Sequence, residues 1–126
     1  MGTFQVHVEV GNREGSRWEP LEALVDTGAT FSVIPESTWQ ALGLQAGYRL
    51  AFELADSRTV ERDVAEARIR IDGQERPTLL VSAGADAQPL LGAYTLEAFL
   101  VAPDPIHKRL IPVPGLLLGI GERTST

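Results

Sequence analysis

Asp26 is the one residue whose setting in the sequence marks it as a placed reactive group. It follows the apolar run Ala23-Leu24-Val25 and precedes Thr27-Gly28, so its carboxylate sits where a strand leaves the core and is only partly solvated. Gly28 permits close approach of the backbone to a ligand, and Thr27 offers a short hydroxyl that can lock the turn by hydrogen bonding. The plain alternative is an ordinary Asp-Thr-Gly β-turn. At average residue usage that tripeptide arises by chance in about a few percent of chains of this length. Three residues alone therefore mark a site without naming its chemistry.

Other familiar chemistries find no support. Ser32, Ser37 and Ser57 lie outside the Gly-x-Ser-x-Gly context of an activated nucleophile. His7 falls on the polar face of a strand and His107 in a Pro-rich loop, neither near a carboxylate at metal-ligand spacing, so both read as surface residues and no metal site is expected. The glycines form no phosphate-binding pattern, and no cofactor is expected. Trp18 and Trp39 read as aromatic anchors of the core rather than as walls of a cleft.

The elements that must hold Asp26 are mostly strands. Phe4, Val6, Val8 and Val10 alternate with Thr3, Gln5, His7 and Glu9, the period of a strand with one buried face. A turn-rich stretch over 11–16 and the segment Trp18 to Val25 complete a hairpin. After the Asp26 turn, Phe31 to Ile34 resumes a buried strand, and Pro35 to Leu42 reads as a short helix with Pro in its first turn and Gly43 at its end. Arg49 to Leu54 and Val60 to Ile71 are two further strands around an exposed tip at Ala55 to Thr59, the second burying Ala65, Ala67, Ile69 and Ile71 before an Asp72-Gly73 turn. Thr78 to Ser82 is a strand, 83–87 a loop, 88–92 a buried segment and Tyr94 to Phe99 a short helix. Prolines at 103, 105, 112 and 114 break up the C-terminal part, where Leu116 to Ile120 is the last apolar run and Glu122 to Thr126 a frayed tail.

Across a dozen residues, Leu24-Val25-Asp26-Thr27-Gly28-Ala29-Thr30-Phe31-Ser32-Val33-Ile34-Pro35 resembles the active-site segment of retropepsin-like (clan AA) aspartic peptidases. A second element of that family, two apolar residues and Gly before a short helix, follows as Leu90-Leu91-Gly92-Ala93-Tyr94-Thr95-Leu96-Glu97-Ala98-Phe99. The stretch from Ala102-Pro103-Asp104-Pro105 to Leu110-Ile111-Pro112 is similar to the strand region after this helix in small bacterial members, so the resemblance covers roughly residues 3 to 113. The fold implied is all-β, a closed retropepsin-like (acid protease) β-barrel protomer with one or two short helices.

The activity implied is that of an aspartic endopeptidase. Such enzymes set two carboxyls face to face around one water, and mutual repulsion splits their titration so that one proton is shared, as in the aspartic proteases that serve as standard examples of this effect. The chain has a single Asp-Thr-Gly, and neither Asp86 nor Asp104 has the strand-turn context of a second. The resemblance thus implies a homodimer with Asp26 of each copy meeting on the two-fold axis. It also implies that Thr27 bonds across that axis, and that Gly28, Ala29 and Thr30 meet a peptide or protein substrate. Asp56 and Ser57, with Arg58, would lie at the tip of a flap closing over it. That tip lacks the glycine many relatives carry. Where retroviral members pair an acidic residue with an arginine between the active-site loop and the later helix, this chain has Thr30 and Ala93, so packing must replace that tie. Ala29 has no hydroxyl to donate to Asp26, unlike the serine of pepsin-type enzymes, which implies a less extreme acid optimum. The alternative function is a non-catalytic dimerisation or peptide-binding module of the same fold.

Composition bounds these readings. A chain of 126 residues, 44% hydrophobic and 22% charged, fits one domain spanning 1–126. The net charge of −6 offers no basic stripe for a phosphate backbone, so nucleic acid is not expected as a partner. The absence of cysteine rules out a disulfide framework and a thiolate metal site. There is neither a basic region followed by an apolar run at the N-terminus nor any stretch of about 18 apolar residues, so no membrane association and a cytoplasmic location are expected.

Overall fold

The computed structural model describes residues 3–117. The alternating N-terminal segment forms β1 (Gln5–Gly11), with Val8 and Val10 almost fully buried, and pairs antiparallel along its length with β2 (Trp18–Val25). The turn between them is built by Asn12, whose Oδ1 accepts from the N–H groups of Ser16 and Arg17 at 2.8 and 3.2 Å. Trp18 is only half-buried. Its ring fills the space beside Gly11, where an added Cβ would meet it at 2.8 Å, and the Arg70 guanidinium stacks 3.7 Å above it. The expectation of a core anchor therefore holds for the buried Trp39 and not for Trp18, which serves the outer face of the hairpin.

β3 (Ser32–Ile34) leads into α1 (Glu36–Leu42), with Pro35 just outside the first turn and Gly43 ending the helix in the left-handed conformation at φ 65°. This is the position where glycine carries no Cβ penalty. β4 (Tyr48–Glu53) and the long β5 (Thr59–Ile71) form a hairpin that reaches out from the body, and every β4 residue except Phe52 is exposed. The inner half of β5 buries Ala65, Ala67, Ile69 and Ile71, as its alternation requires.

β6 (Gln74–Ser82) begins at Gln74 rather than at the expected Thr78. It pairs with β5 from Gln74 to Val81 but with β3 only from Leu80 to Ser82, so Pro77 lies where one edge of the strand is unpaired and a missing N–H is tolerated. After β7 (Leu90–Leu91) come α2 (Ala93–Phe99) and a hairpin of β8 (Val101–Asp104) and β9 (Arg109–Pro112).

The main sheet runs β1-β2-β7-β3-β6-β5-β4, and β1 also pairs with β5, so six strands form a ring of pairings with β4 outside it. The core fills this ring and continues under the helices through Leu42, Leu96 and Phe99. Leu116 and Leu117 are exposed, and the remainder of the last apolar run and the tail lie outside the described residues. No helix among the described residues is long and apolar enough to cross a membrane.

The β8–β9 turn is organised by Asp104, which accepts from the backbone N–H groups of Ile106 and His107 at 3.1 and 3.3 Å and pairs with His107 Nδ1 at 2.8 Å. The His107 side chain, ahead of the backbone bonds, holds the Asp104 carboxyl below the usual carboxylate range. A folded-state value below the unfolded one stabilises above the unfolded carboxyl's pKa, about 3.9, and that stabilisation is lost as pH falls through the folded value. Urea unfolding between about pH 5 and pH 2 is expected to show wild type losing its advantage over Asp104→Asn as acid is added. Parallel curves for the two proteins would show that the carboxylate contributes nothing to the hairpin.

Candidate active site

Asp26 is carried to the end of β2 by its pairing with β7. Val25 lies opposite Leu91 in a parallel register, and the next N–H, that of Asp26, donates to Leu91 O at 3.0 Å. The chain then turns at once. Asp26 Oδ1 accepts from Gly28 N at 2.9 Å, and Asp26 O accepts from Ala29 N at 3.1 Å. This is an Asx turn closed by the carboxylate itself. Thr27, expected to lock it, is exposed and makes no side-chain hydrogen bond among the described residues. One carboxylate oxygen of this half-buried side chain is committed to the turn, and the other makes no hydrogen bond among the described residues.

β2 and β3 flank β7, so the loop joining them must cross the end of β7. At the crossing the backbones nearly touch. A Cβ on Gly92 would stand 2.5 Å from Phe31 O and 2.8 Å from Ala29 O, closer than any side chain allows. Ala93 N and Tyr94 N, first-turn donors of α2 with no partner inside the helix, donate to Ala29 O at 2.8 Å and Thr30 O at 2.9 Å. The tie between loop and helix, expected to rest on packing alone, is therefore hydrogen-bonded. Beneath it Ser32 Oγ accepts from Gly92 N at 3.1 Å and lies 2.6 Å from Thr95 Oγ1, which lies 2.7 Å from Thr78 Oγ1.

Asp56 and Ser57 occupy the tip of the β4–β5 hairpin. Asp56 accepts from Arg58 N at 3.1 Å and pairs with Arg58 Nε at 2.7 Å, while Ser57 takes the left-handed conformation at φ 71° that glycine would fill without cost. The hairpin leans on the active-site loop through Phe52, edge-to-face with Phe31 at 6.0 Å between centroids, and Phe31 in turn meets Tyr94 at 5.6 Å. The structure thus brings Asp26, Gly28, Ala29 and Thr30 together on one loop, and the hairpin that carries Asp56 and Ser57 meets that loop through the aromatic contact.

The buried hydroxyls and this aromatic contact went unremarked in the sequence. A signal was present for the former: Ser32, Thr78 and Thr95 each stand at a position where the strand or helix pattern calls for a core residue. Among the described residues no three His, Asp or Glu side chains gather as a metal would require.

The aspartyl protease family profile matches residues 6–95, the span from β1 to the first turn of α2. Among solved structures the chain is similar to EIAV protease complexed with the inhibitor HBY-793, with a TM-score of 0.57 and 21% identity over 76% of this chain and 86% of that one. It is also similar to the protease of Simian Foamy Virus (mac), with a TM-score of 0.53 and 16% identity over 74% of this chain and 91% of that one. No curated protein sequence matches it. The fold is that of retroviral proteases, and the chain belongs to the aspartyl protease family as a retropepsin-like aspartic peptidase.

The close crossing makes a direct test of this geometry. Gly92→Ala must push backbone atoms apart, and urea unfolding is expected to show a loss of about 1–3 kcal/mol. Gly84→Ala, where an added Cβ meets nothing within 4 Å, should stay within about 0.5 kcal/mol of wild type. A neutral Gly92→Ala would mean that the loop and β7 are not in contact.

Proposed function

We propose that this chain, as one domain over 1–126, is an aspartic endopeptidase acting as a homodimer, with Asp26 of each copy forming the catalytic pair. The observation that carries the reading is Asp26 itself: a half-buried carboxylate on a turn fixed by Gly28 N and Leu91 O, present once per chain in an aspartyl protease family member. A single carboxylate cannot be acid and base at once, whereas a two-fold axis through the turn sets two identical groups face to face.

In the pair, repulsion keeps one carboxyl protonated while the other is ionised. The ionised Asp26 takes a proton from the water as its oxygen bonds to the scissile carbonyl carbon, and the partner subunit's Asp26 gives its proton to the carbonyl oxygen. The tetrahedral diol then collapses: the first carboxyl protonates the amide nitrogen, the C–N bond breaks, and the second recovers its proton from the diol. The products are a carboxylic acid and an amine, with no covalent intermediate. Thr27, whose hydroxyl has no hydrogen-bond partner among the described residues, bonds across the axis. Gly28, Ala29 and Thr30 meet the peptide main chain, and Asp56 and Ser57 close over it with the hairpin, excluding water. The absence of cysteine supports work in the cytoplasm.

Denatured casein incubated from about pH 4 to 7 tests the reading. Cleavage is expected to follow a bell, falling where both carboxyls are protonated and where both are ionised. It should drop about 10²–10⁴-fold in Asp26→Ala and be blocked by a pepstatin-type inhibitor. A demonstrably dimeric wild type that cuts nothing Asp26→Ala spares would instead leave the chain a peptide-binding module.

A further inference from the structure

Ser32, Thr78 and Thr95 are 2, 3 and 0% exposed, and their hydroxyls form one continuous chain across three elements. Burying a hydroxyl is unfavourable unless it is bonded, and here the three bond to one another and to the Gly92 N–H. Their placement is informative. Thr95 is the third residue of α2, in the same first turn as the donors Ala93 N and Tyr94 N that hold the loop carbonyls of Ala29 and Thr30. Ser32 fixes Gly92 N, next to Leu91, whose carbonyl holds Asp26 N. Thr78 anchors the chain in β6, which is itself paired over its length with β5. The same hydroxyls thus fasten both backbone segments that grip the turn, and fasten them to the most extensively paired strands of the sheet.

Resting on the peptidase reading for its kinetic arm only, we propose that Thr95 is a positioning residue for Asp26, acting through Ser32 and Thr78 to hold the start of α2 and the 26–31 loop in one fixed relation. Thr95 touches no reacting atom. Its effect is on the aim of a carboxylate that must meet an identical partner, and misplacement of a reacting group by about 1 Å can cost up to about 10²-fold in rate.

The test uses the full chain as wild type, Thr95→Val, which keeps the shape and removes the hydroxyl, and Thr95→Ser, which keeps the hydroxyl. Amide hydrogen exchange is read at Ala93 and Tyr94, and at Ile69 and Leu80 as reporters of the sheet. In Thr95→Val the first two amides are expected to exchange at least about tenfold faster with the sheet unchanged, and Thr95→Ser should restore protection to within about threefold. With labelled casein as probe, kcat should fall about tenfold in Thr95→Val with KM within about twofold, and recover in Thr95→Ser. Unchanged exchange at Ala93 and Tyr94, or an equal rise at all four amides, overturns the proposal. Local loosening in a protein whose wild type cleaves nothing upholds the positioning role and removes the peptidase reading instead. If Thr95→Val does not fold, Thr78→Val is read the same way, and failure of both to fold makes the hydroxyls a stability element and overturns the proposal.

Discussion

The loop after β2 must cross the end of β7, and at Gly92 the two backbones approach more closely than any side chain permits. Much of the remaining architecture follows from that crossing. The two residues of β7 are flanked on both sides, by β2 in parallel and by β3 in antiparallel register. α2 must begin immediately after Gly92, since its first free N–H groups are what receive the loop carbonyls. Asp26, one residue beyond the last pair of β2 with β7, is then left at the rim with its own N–H still tied to the strand. Position and rigidity of the carboxylate have one common origin.

Neutral groups suit such a joint. An ion pair between loop and helix would bring two charges out of water, and its attraction repays that cost only with near-ideal geometry. Here Thr30 and Ala93 carry no charge, and the loop and helix are joined by main-chain bonds backed by three hydroxyls. Each hydroxyl is both donor and acceptor, so a chain of them can satisfy itself in a dry interior, and no buried side-chain N or O among the described residues lacks a partner. Charges are spent on the outside instead. Arg68 and Arg70 pair with Glu75 on the outer face of the sheet, where the Arg68 side chain, foremost, holds the Glu75 carboxyl below its usual range.

How much of this was legible in the sequence depended on whether a pattern was local. The alternation in β1 and β5, the Asn12 to Ser16 turn, Gly43 at the end of α1 and the paired motifs around Asp26 and Gly92 are each fixed within a few residues, and the structure places them as read. β6 runs back through Pro77 to Gln74, beyond the expected start at Thr78, because the cost of a proline in a strand depends on whether the neighbouring edge is paired, a fact of the whole sheet. Trp18 misled because which face of the hairpin its ring covers is settled by Gly11 opposite and by Arg70 far along the chain. Ser32 and Thr95 are 63 residues apart, and no short-range pattern could reveal that one hydroxyl answers the other.

The aromatic contact between the β4–β5 hairpin and the active-site loop is another joint made by neutral groups. The β4–β5 hairpin is exposed along nearly all of β4, so its backbone bonds to β5 alone would leave it free to swing. Phe52 leaning edge-on against Phe31 gives it a resting place worth about 0.5–1.5 kcal/mol beyond the area it buries. An interaction of that size favours the contact without locking it. Because Phe31 also touches Tyr94 of α2, the hairpin rests on the same joint that fixes the Asp26 turn. In the proposed dimer the hairpin that closes over the peptide and the loop that carries Asp26 therefore meet at Phe31, which also touches α2.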